Sequence, residues 1–312
     1  MKMEKEVERY LEYCRYRREL DEKTVKAYRI DLMQFLGMLF CGDAVREVQM
    51  DRWVIEEYIT QLHKIYKQKT VKRKIASLRA FYNYLEDTER LEENPFRRLK
   101  VGFKEDVILP RTIPRKDIEA ILNYMYHQRN AERDNDRLLR DIAVVEILFG
   151  TGARVFEVSM LRKDAVDLES GAIRFFGKGG KERYVQLGEE SVIGILREYV
   201  GRNRGSIERC GYFFVNRCGR RFREQSIRDM LKKYARAAGV QKTITPHQFR
   251  HSVATYLIEE GVDISYVQQI LGHSSLRTTQ LYLHIATEKQ AEILRLKHPR
   301  KRMRIGEGAV MG

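Results

Sequence analysis

Residues 245–284 read TPHQFRHSVATYLIEEGVDISYVQQILGHSSLRTTQLYLH and hold four of the chain's seven histidines: His247, His251, His273 and His284. Pro246 fits the first turn of a helix, where its missing N–H leaves no bond unmade. On that helix His247 and Arg250 are three residues apart and share a face. His251, at i+4 from His247, raises the question of a metal pair. A zinc-protease motif needs Glu directly after the first His, and Gln248 stands there instead. Arg250 on the same face repels a cation, so no metal is assigned. A second helical run, Ile264–Leu271, ends at Gly272. His273 follows that break, and Tyr282 comes nine residues further on.

Upstream, the same kinds of side chain recur at element ends. Gly150 and Gly152 are expected to break one helix, and another starts near Arg154. Arg154 and Glu157 are three apart, so both project from one side of its first turn. They read equally as a core ion pair. Residues 172–187, AIRFFGKGGKERYVQL, read as a β-hairpin in which Ile173–Phe176 and Arg183–Leu187 flank a glycine-rich tip. The tip lacks the GxxxxGK[ST] pattern of a phosphate loop. Lys178, between glycines, can swing while the stem stays fixed. A lysine's pKa moves readily near other cations, which suits a proton donor; a solvated tip charge is the plainer alternative.

Together Arg154, Lys178, His247, Arg250 and His273 contain no carboxylate acid/base pair. Two guanidinium groups match the nonbridging oxygens of one phosphate. A tyrosine nucleophile would turn a phosphodiester into a phosphotyrosyl link, which conserves the bond energy and needs neither ATP nor metal.

The remaining chain agrees with a polyanionic partner. It has 312 residues, enough for one large or two medium domains, and 43% hydrophobic content, enough for real cores. Lys and Arg number 59 against 44 Asp and Glu, a formal net charge of +15. Nucleic acid is the commonest partner of such a chain. The charged start, MKMEKEVERY, has no apolar signal segment. No run approaches a membrane span, so no membrane partner is expected. Cys14, Cys41, Cys210 and Cys218 form no CxxC pair, which disfavours a disulfide scaffold or zinc site and fits reduced thiols in a cytosol.

The fold class expected is mainly α (α+β). Residues 4–20, a run from Thr24, residues 51–66 and residues 69–89 carry apolar side chains at helical spacing, with no strand signal, and form a small bundle. The fourth helix opens with KQKTVKRK, placing Lys69, Thr70, Lys72 and Arg73 where they could meet phosphates. Asn94-Pro95 stops it. The expected division is a helical domain at 1–98, a linker at 99–113, a mostly helical domain with a small hairpin sheet at 114–286, and a helix with a basic tail at 287–312. Within the second domain, helices are expected at 115–126, 137–149 and 189–201, and a short strand at Tyr212–Val215. A further helix ends near Gly239. Its start offers Arg220, Arg221, Arg223, Gln225 and Ser226 for phosphate and base-edge contacts.

Four motifs, TGARVFEV, GKGGKERYVQL, TPHQFRHSVATYLIEEG and ILGHSSLRTTQLYLH, resemble in order and spacing those of the tyrosine recombinases, the phage integrase family. The likeness is nearest to bacterial Xer recombinases and mobile-element integrases of similar size. It implies a core-binding N-terminal bundle and a catalytic domain acting on double-stranded DNA without a cofactor. By this resemblance Arg154 and Arg250 bind the scissile phosphate, with Glu157 as acidic companion to Arg154. Lys178 is the hairpin acid, His247 assists proton transfer, His273 helps hold the phosphate and Tyr282 is the nucleophile. It also implies a tetramer on DNA, with protomers coupled through the C-terminal helix, formed alone or with a second recombinase. The expected location is the cytoplasm of a bacterium, at the nucleoid. A type IB topoisomerase-like nicking-closing enzyme and a non-catalytic DNA-binding accessory protein are the alternative functions.

Overall fold

A computed structural model describes residues 3–39, 52–99, 102, 112–177 and 182–272. Its contacts divide the chain into two units, Met1–Asp106 and Val107–Gly312.

In the first unit, helices α1 (Met3–Tyr16), α2 (Glu22–Leu39), α3 (Arg52–Ile65) and α4 (Gln68–Asp87) bury one apolar stripe each. Val7, Tyr10, Leu11 and Cys14 of α1 meet Leu32, Phe35 and Leu36 of α2 in one core with Tyr58 of α3 and Phe81 and Tyr82 of α4. The Phe35 and Tyr58 rings pack edge-on at 4.9 Å. Charges enter this interior in pairs: Asp31 is buried, and accepts from buried Lys74 Nζ at 3.0 Å, from Ser77 Oγ at 2.9 Å and from Arg73. A buried carboxylate is tolerable only when paired and hydrogen-bonded in this way. After α4 the chain is drawn back onto the bundle. Asn94 accepts the Phe96 N–H at 3.0 Å to start a 3-10 turn, Pro95–Arg98, and the Phe96 ring packs on Tyr82.

The second unit is built around α6 (Asp136–Thr151), buried on nearly every face from Leu138 to Leu148. Around it lie α5 (Arg115–Ala131), α7 (Val155–Ser159), α8 (Glu190–Cys210), α9 (Glu224–Ala237), α10 (Pro246–Glu259) and α11 (Ile264–Leu271). A three-stranded antiparallel sheet, order β1-β2-β3, joins Val166–Asp167, Ala172–Phe176 and Glu182–Gln186, with Phe175 opposite Arg183. The architecture is mainly α with one small sheet, as the sequence implies.

Three local expectations need correction. Gly150 does not break α6; the helix runs through it and ends at Gly152, whose left-handed φ of 60° closes it. Helices α5 and α8 outrun their expected ends. In α8 this happens because Gly194, Gly201 and Gly205 interrupt the apolar pattern without stopping the helix. Tyr212–Val215 makes no strand, only isolated bridges from Tyr212 to Arg162 and from Val215 to Arg221. The Tyr199 hydroxyl takes the place of a partner strand, accepting the Val215 N–H at 3.0 Å and donating to the Phe213 carbonyl at 3.1 Å. Phe213 and Phe214 are therefore buried side by side, where a strand would send them to opposite faces.

Candidate active site

Helix α10 starts on a reciprocal cap: Thr245 accepts the Gln248 N–H, and the Gln248 side chain accepts the Thr245 N–H at 2.8 Å. Pro246 occupies the first turn. The first turn presents His247 to solvent, while Arg250 turns inward with 4% exposure. Arg250 donates through Nη1 to the Gly152 carbonyl at 2.9 Å and through Nη2 to the Leu271 carbonyl at 2.6 Å. His251 is half-buried, and burial, followed by the neighbouring His247 and Arg250 charges, holds its pKa below the usual imidazole value. Among the described residues no three His, Cys, Asp or Glu side chains gather as metal ligands would.

Arg154 precedes α7. Its backbone N–H donates to Glu157 Oε2 at 2.7 Å, its Nη1 to Glu157 Oε1 at 2.8 Å and its Nη2 to the Gly272 carbonyl at 3.4 Å. From β3, Arg183 grips the same carboxylate with both terminal nitrogens at 2.8 Å and donates through Nε to the Ile270 carbonyl at 2.8 Å. Burial alone would raise the Glu157 pKa. The Arg183 hydrogen bonds and charge, with Arg154 behind them, outweigh burial and hold it below the usual carboxylate range.

The end of α11 is thus capped by three guanidinium groups on consecutive carbonyls: Arg183 on Ile270, Arg250 on Leu271 and Arg154 on Gly272. The last carbonyls of a helix lack intrahelical partners and carry partial negative charge, so cations gather there. Two glycines permit the approach. A Cβ on Gly152 would lie 2.5 Å from Leu271 Cδ2, and one on Gly272 would lie 2.8 Å from Arg183 Cδ.

Arg154, His247 and Arg250 are therefore placed by the structure; Lys178, His273 and Tyr282 lie outside the described residues. Of the side chains expected to meet DNA, Lys69 and Lys72 of α4 are exposed and Thr70 is half-buried. Arg73 is engaged by Asp31. Arg220, Arg223 and Ser226 are exposed, and the Gln225 amide donates to Asp229 at 2.9 Å. Arg221 turns inward onto Ser159, Met160 and the Tyr212 ring. Sequence reading passed over Arg183. Its signal was a charge in line with Val185 and Leu187, on the apolar face of a strand.

The chain belongs to the phage integrase family of tyrosine recombinases: residues 111–289 match the Phage integrase family, and residues 7–89 match its N-terminal SAM-like domain. It is 46% identical over 295 residues to a tyrosine recombinase of Agathobacter rectalis, covering 94% of this chain and 95% of that one. It is 32% identical over 302 residues to the tyrosine recombinase XerC of Leptospira interrogans, covering 94% and 93%. Its fold matches that of the XerH site-specific recombinase in a post-cleavage complex with difH substrate. The TM-score is 0.74 and the identity 21%, over 93% of this chain and 83% of that one.

Proposed function

We propose that this tyrosine recombinase cleaves and rejoins double-stranded DNA at a specific site through a 3′-phosphotyrosyl intermediate on Tyr282. The observation that carries the reading is the convergence of Arg154 and Arg250 on neighbouring carbonyls at the end of α11, from positions 118 and 21 residues away in the chain. Two guanidinium groups held side by side suit a phosphate whose negative charge grows in the transition state. Losing one such preorganised donor typically costs about 10²–10³ in rate.

The step balances without an added reactant. The Tyr282 oxygen forms a bond to phosphorus and the bond from phosphorus to the 5′-oxygen breaks. His247 assists removal of the tyrosine proton, Lys178 delivers one to the departing oxygen, and His273 helps hold the phosphate. Attack by the 5′-hydroxyl of a partner strand reverses the chemistry and exchanges strands. The site is held in residues 114–286, behind a core-binding domain at 1–98 and a linker at 99–113. The segment 287–312 couples protomers into a tetramer on DNA, in the bacterial cytoplasm. Lys69, Lys72, Arg220 and Arg223 contact the DNA.

The test is a nicked suicide duplex that traps covalent protein–DNA. The unmutated chain should accumulate adduct, and Tyr282→Phe should bind the duplex with unchanged affinity and trap none. Adduct from Tyr282→Phe removes the nucleophile assignment, and none from the unmutated chain favours a binding-only protein.

A further inference from the structure

Arg183 belongs to none of the roles above, yet its guanidinium ties together three segments that carry the site. It sits on β3, in the hairpin whose tip contains Lys178. It holds Glu157, which holds Arg154. It caps Ile270 in the last turn before His273. The side chain is 9% exposed and lies over the ring of its cross-strand partner, Phe175, at 4.9 Å. Every nitrogen of the fork is used, so no other basic side chain substitutes for it geometrically.

The charges give the arrangement a purpose. Glu157 paired with Arg154 alone would cancel the arginine's charge at the place where a phosphate must bind. With Arg183 also on the carboxylate, the trio Arg154–Glu157–Arg183 keeps one net positive charge, and Arg250 adds another. Glu157 can then orient Arg154 without neutralising the site.

Resting on the recombinase reading, we infer that Arg183 is a positioning residue for strand cleavage. It fixes Glu157 and the end of α11, so that Arg154 reaches the phosphate with its charge uncancelled.

The experiment measures single-turnover cleavage of a pre-bound suicide duplex by the full-length chain. Arg183→Met should retain DNA binding and slow cleavage by about 10–100-fold, the usual effect of removing an outer partner that orients a functional group. Arg183→Lys, which keeps the charge but not the fork, should fall between. In an Arg154→Ala background Arg183→Met should add less than about threefold, because both act through one group.

A purely structural role would not move the pH dependence. Without Arg183, Glu157 loses the hydrogen bonds and charge that do most to hold its pKa down. It then protonates at a higher pH than in the unmutated chain, and its cancellation of Arg154 is lifted. The ratio of Arg183→Met to unmutated rates should therefore rise as pH is lowered. That ratio cancels the titrations of His247 and His251, which the two proteins share. Adding Glu157→Gln to Arg183→Met should make the ratio independent of pH. Multiplicative losses with Arg154→Ala, a pH-independent ratio for Arg183→Met alone, or unchanged cleavage would each overturn the inference and leave the recombinase reading standing. If Arg183→Met does not fold, Arg183→Lys carries the same cycle and pH series. Absence of adduct from the unmutated chain overturns the reading and this inference with it.

Discussion

Glu157 has a side chain 1% exposed and lies between two guanidinium groups. Its pKa in the folded chain is depressed, so its ionised form stabilises the fold. That contribution is fully present above the unfolded carboxylate value, about 4.3. It disappears as pH falls through the lower folded value. Glu157→Gln should therefore be less stable than the unmutated chain at pH 7, with the gap narrowing as urea denaturation is repeated towards pH 3. A gap unchanged with pH would show that the carboxylate's charge contributes nothing. The Arg154–Glu157 relation was legible from spacing three in the sequence. Arg183 was not, because its partner lies 26 residues away on a different element, α7, and only the tertiary fold brings the two together.

At the scale of elements, the proposed site rests on two helices, α6 and α11, that end in left-handed glycines, Gly152 pressed against Leu271 of α11 and Gly272 against Arg183 of β3. Gly152→Ala faces backbone strain of about 1–2 kcal/mol. Overpacking against Leu271 adds a further ~1–3 kcal/mol. Gly239 also has a positive φ, 75°, but open space around its would-be Cβ, so Gly239→Ala should show the strain alone. Thermal unfolding of the pair measures the difference; equal losses would mean that the α6–α11 contact tolerates an added methyl. Helix positions were legible from apolar spacing, since each helix buries a stripe. Which of Gly150 and Gly152 ends α6 was not legible, because that is settled by α11 packing against it. The stretch 212–215 misled for a related reason: its backbone is satisfied by the Tyr199 hydroxyl, a partner no local pattern announces.

For the whole molecule, the net charge of +15 bears on association with DNA more than on folding. The structure separates basic residues that are spent internally from those that face solvent. Lys69 is exposed on α4, whereas Arg221 is packed on Ser159, Met160 and Tyr212. In salt titrations of duplex binding, Lys69→Ala should reduce the slope of log K against log salt by about 0.9, the value of one phosphate contact. Arg221→Ala should leave that slope unchanged. The reverse pattern would show that these two surfaces had been assigned the wrong way round. From the sequence, Arg154 and Arg250 could be proposed as clamp residues because four motifs in order constrain one another. The convergence of Arg154 and Arg250 on the consecutive Leu271 and Gly272 carbonyls could not be named, because it depends on the fold of residues far apart in the chain.

The central claim is that Tyr282 becomes joined to DNA at the phosphate held by Arg154 and Arg250. The most direct measurement is to trap the adduct, digest protein and DNA, and identify the nucleotide-bearing peptide by mass spectrometry. The account predicts one modified residue, Tyr282, carrying a 3′-linked nucleotide, with a free 5′-hydroxyl on the released strand. A linkage on any other residue, or a 5′-linked nucleotide, would contradict it.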